Sequence, residues 1–129
     1  MGLSTVLSGR SRDEAIIRIT DLIGLYVLPA GPIPPNPLEL LSRLNFDEFL
    51  IHVRATFDVV IIDTPALAVG EDAAMIAVRT ASALAVARTA QTRVHAFNDM
   101  VQGLVNAGVN VVGSVLNDVP EAKKAKAKV

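Results

Sequence analysis

Apolar positions along this 129-residue chain alternate between two rhythms. Four short β-rich runs stand out: Leu25 to Leu28, Asp58 to Ile62, Ala83 to Arg88, and Val109 to Leu116. The second contains Val59-Val60-Ile61-Ile62, apolar without a break, which is how a strand covered by helices on both faces of a parallel sheet reads. Between the runs the spacing becomes helical. Phe46, Phe49, Leu50, Val53 and Phe57 fall at i, i+3, i+4, i+7 and i+11, which places them on one stripe. Val94, Phe97, Val101 and Leu104 follow the same spacing, and Gly108 supplies the stop.

Helix starts are written in as well. Asn36-Pro37-Leu38-Glu39 offers a cap, a proline at the first helical position and a Glu able to reach back to the cap amide. Asn45 and Glu48 repeat the cap-and-box spacing one short helix later, and Asp72 reads as a helix N-cap. Strands alternating with helices predict βαβ units, and so an α/β fold with a mostly parallel sheet and flanking helices. Two stretches break the rhythm. Pro29 to Pro37 is too proline-dense for a helix or central strand and reads as a stiff loop leaving a strand end. Residues 120–129 hold every lysine in the sequence (Lys123, Lys124, Lys126 and Lys128) and little to bury, so an α/β domain over 1–119 and a flexible tail are expected.

Composition narrows the class. With 51% apolar and 19% charged residues the chain is globular rather than disordered. A formal charge of −1 removes the basic surface that nucleic-acid binding requires. There is no cysteine, so disulfides and thiolate metal sites are excluded. The apolar stretch from Ala73 to Ala90 is interrupted by Arg79 and Arg88, short of the roughly 20 apolar residues of a membrane span. The first residues carry neither a secretion signal nor, with Val6 in place of Ser or Thr, a myristoylation pattern. A cytoplasmic location is expected.

The sharpest chemical signal is Val59-Val60-Ile61-Ile62-Asp63-Thr64-Pro65. An aspartate following four apolar residues emerges at the carboxyl edge of a sheet, where open α/β folds bind ligands. In nucleotide-hydrolysing proteins with a phosphate-binding loop, such a carboxylate holds Mg²⁺ directly or through water. The plainer reading is an Asp ending a strand and accepting hydrogen bonds from loop amides. The usual companion, G-x-x-x-x-G-K-[ST], does not occur, and no lysine precedes Lys123. His52 and His95 each stand alone on predicted helices, without a second histidine at ligand spacing, and read as surface residues. Ser4 and Ser8 have no positioned base.

These features come together in a resemblance. Gly2-Leu3-Ser4, Leu7-Ser8-Gly9, Leu25 to Gly31, Pro34-Pro35-Asn36-Pro37 with Glu39-Leu40-Leu41, Asp63-Thr64-Pro65, Asp72-Ala73 and Gly113 to Asn117 follow one another in a family order and spacing. Over residues 2–118 the chain resembles the cytoplasmic kinase domain of bacterial tyrosine kinases of the capsular and exopolysaccharide family, relatives of the MinD/ParA-like P-loop ATPases. The proline-rich block is the most specific part. The resemblance implies ATP and Mg²⁺ as cofactors, transfer of phosphate to protein tyrosine, and a membrane-bound polysaccharide chain-length regulator as partner at the inner face of the plasma membrane.

By the same resemblance Asp63 matches the Walker B aspartate and metal ligand, and Asn117 a position near the adenine base. Arg88, with Thr89, stands where the family has polar residues near the nucleotide. In the family a lysine-bearing Walker A loop precedes Gly-Leu-Ser, and by the resemblance Met1 is expected to stand where that segment has already ended. The family's C-terminal tyrosine cluster is also missing: the single tyrosine, Tyr26, falls in a predicted strand and reads as core. The expectation is a kinase-derived exopolysaccharide protein, inactive by itself, whose partner supplies the phosphate-binding half or is a second copy. A non-catalytic interaction subunit and a fragment of a ParA/MinD-like ATPase stay open as alternatives. Losing the strand before the phosphate loop would leave Val59 to Ile62 with an unpaired edge, and such edges invite association.

Overall fold

The computed structural model describes residues 1–9, 17–18 and 22–120. The lysines of the tail, with residues 121–129, lie outside the described residues. The elements run α1 (Leu3–Leu7), β1 (Ile17–Arg18), β2 (Tyr26–Val27), α2 (Pro37–Ser42), α3 (Leu44–Thr56), α4 (Asp72–Thr80), β3 (Ser82–Arg88), α5 (Val94–Asn106) and β4 (Asn110–Asn117). The chain forms two compact units, Met1–Thr80 and Ala81–Val129.

The first unit is built on α3. The predicted stripe forms its buried face: Phe46 is fully buried, and Phe49, Leu50 and Val53 are at most 8% exposed. Against them pack Val6 and Leu7 of α1, Leu41 of α2 and Ile76 of α4, with Ile62 and Phe57 at the margin. The Phe46 and Phe49 rings stack with centroids 6.5 Å apart. α1 is held by the proline-rich loop, since the amides of Leu3 and Ser4 donate to the carbonyls of Pro29 (2.8 Å) and Ala30 (3.0 Å). That loop closes so tightly on Gly2 that any Cβ there would meet Gly31 backbone at 2.4 Å.

Two expected caps resolve differently. Asn36 does cap α2, its Oδ1 accepting from the Glu39 amide at 3.4 Å, with Pro37 in the first turn. The Glu39 carboxylate, however, pairs with Arg43 one turn on instead of returning to the cap. Asn45 is not a cap: α3 starts one residue before it, and its Nδ2 donates to the Leu7 carbonyl at 2.9 Å, joining α3 to the end of α1. A long-range carbonyl without a partner competes successfully for the same side chain. Asp72 lies in the first turn of α4, with Glu71 providing the first accepting carbonyl.

The strand expected over Asp58 to Ile62 does not form. No ladder includes these residues, and Val59 and Ile61 are 76% and 88% exposed. A strand exists only by virtue of a partner, and none of the described residues supplies one. Among the described residues the pairing in this unit is antiparallel, Ile17↔Val27 and Arg18↔Tyr26, and β1 gave no signal in the sequence. Tyr26, expected in the core, is 43% exposed and lies against Phe57 with ring centroids 5.2 Å apart.

The second unit is a βαβ unit. β3 and β4 pair in parallel from Ser82↔Asn110 to Arg88↔Asn117, with Val112 as the extra residue where the register shifts. α5 connects them and ends as predicted: Gly108 adopts φ +82°, its amide donates to Val105, and the Val109 amide donates to Leu104. Leu104 and Val109 are both at most 5% exposed, the apolar contact that accompanies this type of helix end. The α5 stripe is graded, with Leu104 buried, Phe97 and Val101 half-buried and Val94 exposed. A two-stranded sheet has too little surface to cover a whole helix face.

Candidate functional site

Asp63 lies in the first unit, at the end of the apolar run and directly before Thr64-Pro65. The run lines an open groove of about 550 Å³ together with Leu25, Tyr26, Val27 and Leu28. Phe49, Val53 and Phe57 contribute from α3, so most of the lining is apolar. Asp63 is the one charged residue in that lining among the described residues. It is exposed and makes no hydrogen bond or ion pair with a described residue.

That geometry can be weighed against a magnesium nucleotide. Mg²⁺ is bound through one or two carboxylates while keeping several waters and taking phosphate oxygens from the substrate. Asp63 suits one such ligand. No group of three His, Asp or Glu side chains converges among the described residues, so no complete protein cage for a metal exists there. Among the described residues no Lys or Arg lines the groove, so they supply no cationic side for a phosphate site. The described lining residues therefore fit the metal-facing half of the pair and not the phosphate-facing half.

Arg88 and Asn117 belong to the second unit, where the parallel register sets them side by side at the carboxyl ends of β3 and β4. Arg88 is engaged by a residue the sequence did not single out. Its Nε donates to Asp118 Oδ2 at 3.0 Å and its Nη2 lies 2.9 Å from the same oxygen. Asp118 is aimed by a left-handed backbone, φ 59°, a conformation that Asp tolerates better than most residues. Asn117 Oδ1 accepts from the Asp118 amide at 2.9 Å. The Asn117 carbonyl accepts from both the amide and the hydroxyl of Thr89, at 3.0 and 3.1 Å. Arg88, Thr89, Asn117 and Asp118 form one hydrogen-bonded cluster at this sheet end. The only sequence hint of Asp118 was its place after a strand-ending Asn, because partners thirty residues apart depend on strand register.

His95 pairs with Asp99 one turn along α5 at 2.8 Å, and both side chains are exposed. His52 stands exposed on α3, and Asp72 at the start of α4 is half-buried. None of the three joins Asp63 in the groove lining. No helix among the described residues is long and apolar enough to cross a membrane.

No family model matches the chain. Among curated proteins it is 38% identical over 118 residues to the tyrosine-protein kinase ptk of Acinetobacter johnsonii, covering 92% of this chain and 16% of that protein. To the tyrosine-protein kinase CpsD of Streptococcus agalactiae it is 31% identical, covering 94% of this chain and 52% of the relative. Among solved structures, the kinase domain of the Escherichia coli tyrosine kinase ETK superposes with a TM-score of 0.86 at 33% identity, covering 99% of this chain and 51% of that one. The VpsO kinase domain gives 0.84 at 31% identity, over 92% and 59% of the two chains. The chain thus spans about a sixth of the ptk kinase and about half of CpsD and of the solved kinase domains. The sheet, the helices and the sequence agree: these 129 residues are homologous to part of the kinase domain of bacterial capsular polysaccharide tyrosine kinases.

Proposed function

We propose that this chain carries the metal-facing half of a magnesium–nucleotide site in an exopolysaccharide tyrosine kinase, and turns over only when a phosphate-binding half is present beside it. The observation that supports this reading is Asp63, unpartnered at the end of a groove that no Lys or Arg lines among the described residues. Phosphoryl transfer depends on positioning and on neutralising the charge of the β- and γ-phosphates, for which one carboxylate is no substitute. Asp63 would hold one coordination position of the metal. Asn117 would lie near the base, and Arg88, released from or held by Asp118, near the nucleotide's polar groups. The phosphate-binding half belongs to a longer chain or to a partner polypeptide, and a membrane-bound chain-length regulator would bring the assembly to the inner membrane face.

Equilibrium MgATP binding and phosphate release test this directly. The 129-residue chain alone is expected to show no saturable MgATP binding below millimolar and no ATPase activity. A polypeptide carrying the missing part of the domain should restore both, and Asp63→Ala should abolish the gain. Robust hydrolysis by the lone chain, lost on Asp63→Ala, would overturn the reading.

A further inference from the structure

Asp118, the residue after β4, has its two carboxylate oxygens in different situations. Oδ2 takes both the Nε and the Nη2 of Arg88, whose charge offsets its own. Oδ1 has no partner among the described residues, and the side chain is 60% exposed. The neighbouring carboxamide is committed in the opposite sense. Asn117 Oδ1 is occupied by the Asp118 amide at 2.9 Å, which leaves Nδ2, with its two N–H donors, without a partner among the described residues. Two consecutive residues at the carboxyl end of a parallel strand pair, where α/β folds bind ligands, thus offer one donor group and one acceptor.

We propose that Asp118 sets the base preference of the nucleotide site, accepting a hydrogen bond from the 6-amino group of a purine whose N7 takes the Asn117 Nδ2 donor. Adenine carries an acceptor at N7 beside a donor at the 6-amino group, the complement of this pair. A 6-oxo purine, guanine or hypoxanthine, carries acceptors at both positions, so its O6 would meet a carboxylate oxygen that is itself an acceptor. Arg88 holds Asp118 through the other oxygen, so the side chain loses little further freedom when a base arrives. That role rests on the proposed nucleotide site, in which Asn117 lies near the base.

Adenosine monophosphate and inosine monophosphate test this on the 129-residue chain itself, because they carry the same phosphate and differ at the purine 6-position. At millimolar concentrations the adenosine form should shift the NMR signals of the Asn117 side-chain amide and the Asp118 backbone amide. Its apparent affinity should exceed that of the inosine form by about fivefold or more, the size of one net hydrogen bond. Asp118→Gly suits the left-handed φ of 59° and keeps the backbone amide that holds Asn117, so it should bring the two affinities together. If that variant does not fold, the ratio in the unaltered chain decides. No response to the adenosine form, or equal affinities in the unaltered chain, would overturn the proposal. So would a ratio that survives Asp118→Gly while both affinities fall, since Asp118 would then act only on structure. A base preference with no gain in MgATP affinity on adding the missing part of the domain sinks the Asp63 reading alone, whereas restored MgATP binding without a base preference sinks only the role of Asp118.

Discussion

A Cβ on Gly2 would stand 2.4 Å from both the Gly31 amide nitrogen and the Pro29 carbonyl oxygen. Both atoms are backbone, so neither can rotate away. The Gly2 backbone is extended, at φ 177°, and the constraint is purely one of close approach. Gly108 is the opposite case: open space surrounds it, and its left-handed φ of +82° is what alanine resists. Gly2→Ala should cost about 3 kcal/mol, because it also pries α1 from the two loop carbonyls that hold it. Gly108→Ala should cost about 1–2 kcal/mol. Urea midpoints of the two variants, measured side by side, check the ranking; equal losses would mean that the Gly2 loop relaxes.

At the scale of elements, short helices depend on being tied to one another. α2 has six residues, below what an isolated helix can sustain. Arg79 of α4 reaches across to it, donating from Nη2 to the Ser42 carbonyl at 2.9 Å while Nη1 pairs with Asp47 of α3 at 2.5 Å. The Arg79 side chain is only 24% exposed, which sets the pair apart from an ordinary surface contact. Arg79→Met keeps the apolar stem and should cost about 1–2 kcal/mol by chemical unfolding. Adding Asp47→Asn should cost little more, since the two side chains share one interaction. A fully additive double variant would show that they act separately. Arg88–Asp118, with side chains 55% and 60% exposed, is expected to contribute under about 1 kcal/mol.

Elements whose reason to form lies within a few residues were legible beforehand. The α3 stripe, the Asn36-Pro37 start of α2 and the Gly108 end of α5 needed only local spacing and backbone preference. β3 and β4 were also read to within a residue or so. The misses share a cause. Asn45 had the right spacing for a cap and was taken by a carbonyl in α1, thirty-eight residues away. Asp118 became the partner of Arg88 only through the β3–β4 register. Val59–Ile62 had a strong strand pattern and no strand, because pattern states a willingness to pair and cannot supply the partner.

For the molecule as a whole, that unmet pairing governs behaviour in solution. Val59 and Ile61 present apolar side chains beside open backbone, and among the described residues Leu84, Val86 and Leu116 are also more than half exposed. Concentration-dependent self-association is expected. Ile61→Lys places a charge where the side chain is 88% exposed, so it should reduce association, seen by sedimentation, while shifting the urea midpoint by less than about 0.5 kcal/mol. Association unchanged by Ile61→Lys would move its source to the β3 and β4 face.

The sequence by itself determined the α/β class, the kinase-domain kinship and the lack of a phosphate-binding lysine before residue 123, because these depend on residue types, short spacings and order along the chain. Only the tertiary structure decided which of those signals would be honoured. It gave Asn45 to α1, set Arg88 against Asp118, and left Asp63 alone on a groove with its apolar strand unpaired. Each outcome turned on a hydrogen-bond partner far away in sequence being present or absent, and local pattern carries no information about a partner's presence.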